Sequence, residues 1–231
     1  MLKIIEPVLD LIAPPLCVVC RKEPGVVCSS CDKKLEKYRI TRNFCLKCGG
    51  VFDGRVCPRC RDIKFSFEFN RSVFVYEGEI RNIVEDFKYR KIRSLVGYMA
   101  EKMADLIVRE FPVIDVMVPI PLHPTKKRER GFSQTEVLAL EISGLTGIPV
   151  NTGDLVRIRN TRAQANLSRE MRLKNLKGAF KLRNPSNFLG KKILLLDDVM
   201  TTGATVNEAA KLFKRVKGTE VYSMTFAIAA F

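Results

Sequence analysis

The feature that most limits what this chain can fold into is its set of cysteines. All eight lie before residue 61 and form four C-x-x-C pairs: Cys17/Cys20, Cys28/Cys31, Cys45/Cys48 and Cys57/Cys60. A C-x-x-C turn directs two thiolates toward one point, and two such turns supply the tetrahedral set that a structural zinc ion prefers. The only histidine, His123, is far away in the sequence. We therefore expect two zinc sites with cysteine ligands alone.

Other uses of these cysteines are less consistent with the sequence. Disulfides need an oxidising compartment, and the N-terminal residues do not read as a secretory signal. A redox C-x-x-C would be one pair in a thioredoxin-like setting, and iron–sulfur ligation usually has other spacings. Pairing of neighbouring C-x-x-C turns would give two ribbons in tandem, and a crossed pairing stays open. Because four thiolates leave no open coordination position, both sites should be structural.

The composition changes after Cys60. The chain has 231 residues, of which 46% are apolar, which is enough for one α/β domain with a small extra module. We expect a double zinc-ribbon module over residues 1–64, in which the metals contribute much of the folding energy, and a larger domain over residues 65–231.

The larger domain alternates predicted strands with predicted helices. Apolar runs and alternation predict strands over 65–76, 113–120, 192–196 and 219–230. Helical spacing predicts helices over 80–87, 95–111, 135–145 and 205–216. This order favours an α/β fold with a mainly parallel sheet flanked by helices.

Residues 193–205 read ILLLDDVMTTGAT, an apolar strand followed by two acids and a threonine- and glycine-rich loop. Free amides at a helix start suit a phosphate, and Gly203 permits close backbone approach. Asp197 and Asp198 sit at the carboxyl end of the strand, where open α/β sheets bind ligands, and can accept hydrogen bonds from sugar hydroxyls. The alternative is an ordinary strand–turn–helix, in which two adjacent buried carboxylates would be costly.

A basic segment precedes this loop. Residues 118–134 read VPIPLHPTKKRERGFSQ, and the segment offers cations for a pyrophosphate at Lys126, Lys127, Arg128 and Arg130. A solvated basic loop is the alternative. His123 fits a hydrogen-bonded loop residue better than a catalytic base.

The 193–205 segment resembles the motif with which type I phosphoribosyltransferases bind phosphoribosyl pyrophosphate (PRPP). The resemblance implies that Asp197 and Asp198 hold the ribose 2′ and 3′ hydroxyls and that magnesium accompanies PRPP. It also implies a 5′-phosphate cradle formed by Thr201, Thr202, Gly203, Ala204 and Thr205.

Together with the cysteine pairs, two further stretches are similar to the ComF family over nearly the whole chain. One is RERGFSQ (128–134), with Ser133 where asparagine is frequent. The other is 157–180, with Thr161/Gln164, Arg172/Asn175 and the ending GAF. Members of this family are associated with competence and DNA uptake in bacteria. The resemblance implies magnesium-dependent transfer of a phosphoribosyl group to an acceptor that the sequence does not identify, with residues 157–183 as a flap over the active site.

The formal net charge of +15 favours polyanionic partners. PRPP is one such partner, and single-stranded DNA on the basic flap and the ribbons is another. Other competence proteins are further expected partners. Few aromatic rings that could stack on bases lie near basic residues: Phe132, Phe180 and Tyr89. DNA binding would therefore rest mainly on attraction between the cations and the phosphates of the DNA backbone. A non-catalytic module that senses PRPP or binds single-stranded DNA is therefore the alternative to an enzyme.

We expect a cytoplasmic protein without membrane insertion. No stretch reaches the roughly 18 to 20 continuous apolar residues of a membrane helix. The N-terminal segment carries Glu6 and Asp10 among apolar residues at helical spacing, which favours a short amphipathic helix over a signal peptide.

Overall fold

The structure is a computed structural model that describes residues 16–90, 94–160 and 176–230. The amphipathic helix expected before Cys17 lies outside the described residues. So do the pairs Thr161/Gln164 and Arg172/Asn175 and most of the expected flap.

The larger domain is built on a four-stranded sheet in which every pair of neighbours is parallel. Its strands lie in the order β1–β6–β5–β2, and a separate antiparallel pair is formed by β3 and β4. The strands are β1 (Asn70–Val75), β2 (Val116–Pro119), β3 (Leu155–Arg157), β4 (Phe180–Leu182), β5 (Lys192–Met200) and β6 (Glu220–Ile228). The predicted α/β fold with a mainly parallel sheet is confirmed.

Helices cover both faces of the sheet. The described α-helices are α1 (Ser29–Leu35), α2 (Pro58–Asp62), α3 (Gly78–Glu85), α4 (Leu95–Glu110), α5 (Pro124–Arg130), α6 (Gln134–Thr146) and α7 (Ala204–Phe213). A π-helical turn, Asp86–Arg90, continues α3. Helix α4 packs on β1 and β6, α6 packs on β2 and β5, and α7 packs on β4, β5 and β6.

The apolar residues of β5 divide between two core layers because alternate side chains of a strand point to opposite faces. Leu194 and Leu196 join the layer that contains α4 and α6. Ile193 and Leu195 join the layer that contains α7. All four are fully buried, as expected for a strand covered on both faces.

Two strand limits differ most from the sequence prediction. Only 70–75 of the segment 65–76 is a strand, because Phe65 and Phe67 turn into the core, where their rings stack at 4.8 Å. Strand β5 runs four residues beyond Leu196, through the acidic pair to Met200. Its neighbour β2 ends at Pro119, opposite Leu196, so the last part of β5 extends past β2.

The N-terminal module packs on the larger domain at both of its ribbons. In the first ribbon, Leu35 is fully buried in the core layer of α4. In the second, Cys48 and Cys57 belong to the core layer of α7. The boundary between residues 64 and 65 stays a prediction. Among the described helices, none is long and apolar enough to cross a membrane.

Candidate ligand-binding cavity and metal sites

A cavity of about 270 Å³ lies at the carboxyl ends of β2 and β5. Strand β5 contributes both acids to it because the strand continues past the end of β2. The loop before α7, the helix α6 and the π-helical turn complete the wall. The described side chains that line it include Tyr76, Lys88, Arg130, Gln134, Arg157, Asp197, Asp198, Thr201 and Thr205. This is the edge of a parallel sheet at which ligands bind.

The acidic pair is held by a lysine from the π-helical turn. Asp198 is buried, and its Oδ1 lies 2.9 Å from Lys88 Nζ. Burial works against the charge of Lys88, but Asp198 and Asp197 outweigh it and raise the lysine pKa, so Lys88 is a cation. The Asp198 amide donates to Asp197 Oδ1 at 2.9 Å. Burial and the charge of Asp198 raise the pKa of Asp197 to about 7. Asp197 therefore changes protonation near neutral pH.

The loop that follows β5 turns sharply at Gly203. Its φ of 79° lies in the left-handed region, which favours glycine. A Cβ at this position would lie 2.6 Å from Phe65 Cε1, so a side chain is also excluded by contact. Thr202 Oγ1 accepts from the Ala204 amide at 3.3 Å, and Thr201 and Thr205 face the cavity. The loop thus has the tight backbone that a phosphate cradle requires.

Cations from two other elements also line the cavity. Arg130 and Arg157 both line it. Burial and the charges of Arg157 and Arg130 lower the pKa of the half-buried Lys126, which shows that these cations are crowded. Arg130 Nη1 donates to Gln134 Oε1 at 3.2 Å, and Gln134 Nε2 donates to the Lys88 carbonyl at 3.2 Å. A bound anion would relieve this repulsion.

The predicted basic residues separate in the structure. Arg130 lines the cavity of the acidic pair, whereas Arg128 lines an adjoining cavity of about 800 Å³. Lys127 is ion-paired with Glu136 at 2.7 Å. His123 caps α5, because its Nδ1 accepts from the Thr125 amide at 3.3 Å, which agrees with the non-catalytic interpretation.

Sequence reasoning missed Lys88 and Gln134. A signal for Lys88 was present, since it continues the i, i+4 series of the buried residues Ile80 and Val84 and a lysine there needs a partner. The π-helical turn that carries it, of a kind often found at functional sites, is not visible in the sequence pattern. Gln134 ends the RERGFSQ stretch, but nothing in that stretch marks it as a cavity residue.

The cysteines form two clusters, each from neighbouring C-x-x-C turns. Cys17, Cys20, Cys28 and Cys31 form one, and Cys45, Cys48, Cys57 and Cys60 form the other, with all four sulfurs of each cluster within 4.8 Å of one another. Sulfur–sulfur distances are 3.8 Å for Cys20–Cys28 and 3.6 Å for Cys48–Cys57. A disulfide would bring the sulfurs to about 2.05 Å. A tetrahedral zinc ion with bonds of about 2.3 Å separates them by about 3.8 Å, so both clusters fit zinc.

The pKa values of the buried thiols indicate that metal binding at both clusters depends on pH. Burial raises the pKa of Cys48 to about 11 and that of Cys31 to about 12. Four thiolates can share such a site only if a cation balances their charge. Metal binding must therefore release protons, and acid must oppose it.

Two of the rings proposed for base stacking are not on the surface. Phe132 is 9% exposed and Phe180 is 5% exposed. Phe180 belongs to the core layer of α7, and Phe132 to that of α4. Neither ring can stack on a nucleic-acid base without leaving the core.

Known protein families match both parts of this architecture. Residues 8–63 match the double zinc ribbon domain, and residues 129–229 match the phosphoribosyl transferase domain. With the parallel sheet and the cysteine clusters, these matches define a zinc-ribbon protein with a type I phosphoribosyltransferase fold.

Several proteins are similar to this one over most of its length. "Competence protein ComFC" of Bacillus subtilis (strain 168) is 30% identical over 210 residues, which cover 86% of this chain and 82% of that protein. "DNA utilization protein YhgH" of Salmonella typhi is 29% identical, and "Competence protein F" of Haemophilus influenzae is 26% identical, each covering 89% of this chain and 93% of the relative. The chain belongs to the ComF family of competence proteins, as its motifs predicted.

Proposed function

We propose that the cavity binds PRPP together with magnesium and that the protein transfers the phosphoribosyl group to an acceptor. The observation that supports this best is the division of charge within one small cavity. Asp197 and Asp198 come from β5, whereas Arg130 and Arg157 come from α5 and β3. PRPP has a matching division, with two hydroxyl donors on its ribose and anionic groups at both ends.

Each group of cavity residues binds one part of the ligand. Asp197 and Asp198 accept hydrogen bonds from the ribose hydroxyls, and the ion pair with Lys88 holds Asp198 in place. The 5′-phosphate lies in the loop, against amides and hydroxyls of Thr201, Thr202, Gly203, Ala204 and Thr205. The pyrophosphate lies toward Arg130 and Arg157, with Lys126 and Arg128 as further cations around it.

The reaction needs positioning and charge stabilisation, and no covalent nucleophile of the protein. Pyrophosphate leaves the anomeric carbon with the bonding electrons, and an amine of the acceptor forms the new bond there. Arg130 and Arg157 stabilise the charge on the departing pyrophosphate, and the acidic pair holds the ribose in place. Magnesium, bound through oxygens of PRPP and water, would supply further charge neutralisation.

The adjoining cavity is the place for the acceptor. It shares Leu122 and Arg157 with the PRPP cavity and has about 800 Å³ of space. His123 is the one aromatic ring among the described residues that line it, so these residues offer mainly hydrogen bonds and charge. The identity of the acceptor is therefore a question for a screen of amines and nucleobases.

Calorimetric titration with PRPP and magnesium tests the binding step. The double variant Asp197→Asn/Asp198→Ala should bind two to four decades more weakly, since it removes two hydrogen bonds to charged groups, each of about 1.5 to 3 kcal/mol. Asp115→Asn is the control, because the Asp115 carboxylate accepts a hydrogen bond from the Lys192 amide at the other end of β5. Near wild-type affinity in the double variant would rule out this binding mode.

Two checks make this titration interpretable. Removing Asp198 leaves Lys88 without its ion-pair partner, which lowers stability, so far-ultraviolet circular dichroism must show that the double variant is folded. The wild type is then incubated with PRPP, magnesium and each nucleobase, and pyrophosphate release is measured. Release with one acceptor supports an enzyme, whereas tight PRPP binding without release supports the non-catalytic alternative.

A second candidate function is binding of single-stranded DNA. Exposed cations line two cavities beside the β3–β4 pair and the end of α7: Lys177, Lys181, Lys211, Arg215 and Lys217. Glu208 is the one acid among the described residues that line these cavities. The names of the relatives refer to competence and DNA utilization, which agrees with such a surface.

Salt dependence and charge reversal test DNA binding. Affinity for a single strand should fall steeply with salt, and Arg215→Glu/Lys217→Glu should weaken it and reduce the slope by about 0.7 for each phosphate that is no longer neutralised. The same reversal at Lys33 and Lys34, exposed on the first ribbon, is the matched control. An affinity independent of salt, or a larger decrease in the control, would contradict binding at this surface.

A further inference from the structure

A short segment connects the second cysteine cluster to the phosphate loop. We call residues 63–67 the strap. They follow α2, which carries Cys60, and they precede β1. Ile63, Phe65 and Phe67 are each at most 6% exposed and share one core layer with Ala204 and Val206 of α7. The strap therefore lies against the start of the helix whose preceding loop faces the cavity.

The strap is fastened to the phosphate loop by contacts of two kinds. The Phe65 ring lies so close to Gly203 that a Cβ there would be 2.6 Å from Phe65 Cε1. Asn207, in the first turns of α7, is buried, and its Oδ1 accepts from the Ser66 amide at 2.7 Å. The backbone N–H of Asn207 donates to the Gly203 carbonyl at 2.9 Å, so this residue also lies next to the glycine turn. Displacing the strap would therefore remove the Phe65 contact from the turn and the Ser66 hydrogen bond from the helix that follows it.

The strap is also connected to the second cysteine cluster. Arg59, between Cys57 and Cys60, donates to the Ala229 carbonyl at 2.6 Å and lies 3.9 Å from Cys48 Sγ. Lys47, beside Cys48, donates to the Phe67 carbonyl. A module of this size relies on its metals for folding, so the geometry at Cys60 is set by the metal of this cluster.

We propose that the strap makes the phosphate loop depend on the metal of the second cluster, with Phe65 and Asn207 as positioning residues for the 5′-phosphate. The proposal rests on the proposed PRPP function. When the second metal is removed, the strap loosens and the loop no longer holds its binding geometry. The cations that receive pyrophosphate lie on α5 and β3 and not on the loop that the strap supports, so pyrophosphate binding persists.

The first cluster offers a matched control. Its ribbon contacts α3 and α4 through Lys37–Glu79 and Asp32–Lys102 ion pairs. Cys20 and Cys60 are both half-buried, and each belongs to one cluster. Cys20→Ser and Cys60→Ser should therefore each remove one bound zinc, with different consequences for the loop.

The test compares two ligands by calorimetry, ribose 5-phosphate and magnesium pyrophosphate. Cys60→Ser should weaken ribose 5-phosphate by about tenfold or more and leave magnesium pyrophosphate within about twofold, whereas Cys20→Ser should leave both within about twofold. Asn207→Ala, which keeps both zinc ions, should also weaken ribose 5-phosphate by about tenfold. Its control, Asn187→Ala, removes a 3.0 Å hydrogen bond to Asp154 away from the strap and should change neither affinity.

Equal decreases for both ligands in Asn207→Ala, or equal effects of the two cysteine variants, would overturn the proposal. Hydrogen exchange of the ligand-free protein separates this failure from a failure of PRPP binding. Amides of residues 201–205 should exchange faster in Cys60→Ser and Asn207→Ala than in Cys20→Ser, whatever the loop binds. Unchanged exchange in both variants contradicts the coupling. No affinity of the wild type for either ligand, with the exchange difference present, contradicts the PRPP function alone.

Discussion

The two ribbons use the same ligand set and are attached to the larger domain in different ways. The sulfurs of the first ribbon form a small cluster with Val19 and Val27, which also pack against the core layer of α4. In the second ribbon, Cys48 and Cys57 themselves belong to the core layer of α7. Identical metal chemistry therefore lies beside the core in one case and within it in the other.

The contacts at the two joints explain the difference. Asp32 of the first ribbon accepts from Lys102 Nζ and from the Tyr98 hydroxyl, both at 2.8 Å, and Arg39 pairs with Asp105 at 3.0 Å. Partly exposed ion pairs of this kind contribute at most about 1 kcal/mol each. The second ribbon adds the buried strap, whose apolar area contributes more. Leu35 is the one fully buried side chain among the described residues of α1 that joins the domain core.

The largest expected difference between the ribbons comes from removal of one metal. Cys48→Ser and Cys17→Ser each alter a fully buried ligand. Cys48→Ser should lower the unfolding temperature of the whole protein by about 10 °C or more, because the released ribbon opens the core layer of α7. Cys17→Ser should leave that main transition within a few degrees of the wild type. Zinc analysis and calorimetric melting measure both, and equal shifts would show that the ribbons are equivalent.

A smaller effect is expected from cutting the apolar joint alone. Phe67→Ala removes a side chain that is 1% exposed and should cost about 3 to 5 kcal/mol of unfolding free energy in urea titrations. Leu46→Ala, at a residue 76% exposed on the same ribbon, is the control and should cost less than about 0.5 kcal/mol. A cost near that of the control would mean that the strap is not part of the core.

The acidic pair gives a stability effect that depends on pH. Because burial and Asp198 raise the pKa of Asp197 from 3.8 to about 7, the folded protein binds this proton more tightly than the unfolded chain does. The wild type should therefore become less stable as pH rises through this interval, and Asp197→Asn should remove that decrease. Its unfolding temperature should exceed that of the wild type by a few degrees at pH 8 and by less at about pH 5.5.

The same substitution checks the independence of the first ribbon. In a Cys20→Ser background, Asp197→Asn should give the same increase in unfolding temperature, since distant sites contribute additively. An increase that disappears in this background would show that the first ribbon and the cavity are coupled. A difference that grows toward low pH would contradict the raised pKa.

The smallest effect is expected at the polar joint. Asp32→Asn weakens the contacts with Lys102 and Tyr98 and should cost less than about 1 kcal/mol. The difference in unfolding free energy between the wild type and this variant should also decrease in 1 M salt, where exposed charges are screened. Urea titrations at low and high salt measure both. A salt-independent cost of about 3 kcal/mol would place this joint in the same class as the strap.

The sequence predicted the parts that depend on local spacing. The C-x-x-C turns identified the cysteine clusters, and the apolar strand before Asp197 identified the sheet edge at which the cavity lies. Both patterns are set within a few residues, so neighbouring positions are enough to recognise them. The pairing of the C-x-x-C turns stayed open because it depends on how two turns meet in space.

The parts that escaped prediction depend on packing between distant segments. Strand β5 extends to Met200 because β6 continues beside it, although β2 has ended. Lys88 reaches Asp198 through a π-helical turn whose extra residue leaves no mark in the hydrophobic pattern. Residues 65–67 of the strap were predicted as part of a strand because Phe65 and Phe67 alternate with polar residues, but tertiary packing overrides that tendency.

A crystal structure with PRPP and magnesium would locate the ligand directly. We expect the 5′-phosphate within about 3 Å of amides in the 201–205 loop and the ribose hydroxyls within hydrogen-bond distance of Asp197 and Asp198. The pyrophosphate should lie on the side of Arg130 and Arg157. PRPP bound at any other surface, or a cavity that stays empty at saturating PRPP while Lys88 and Asp198 remain paired, would contradict the assignment of this cavity.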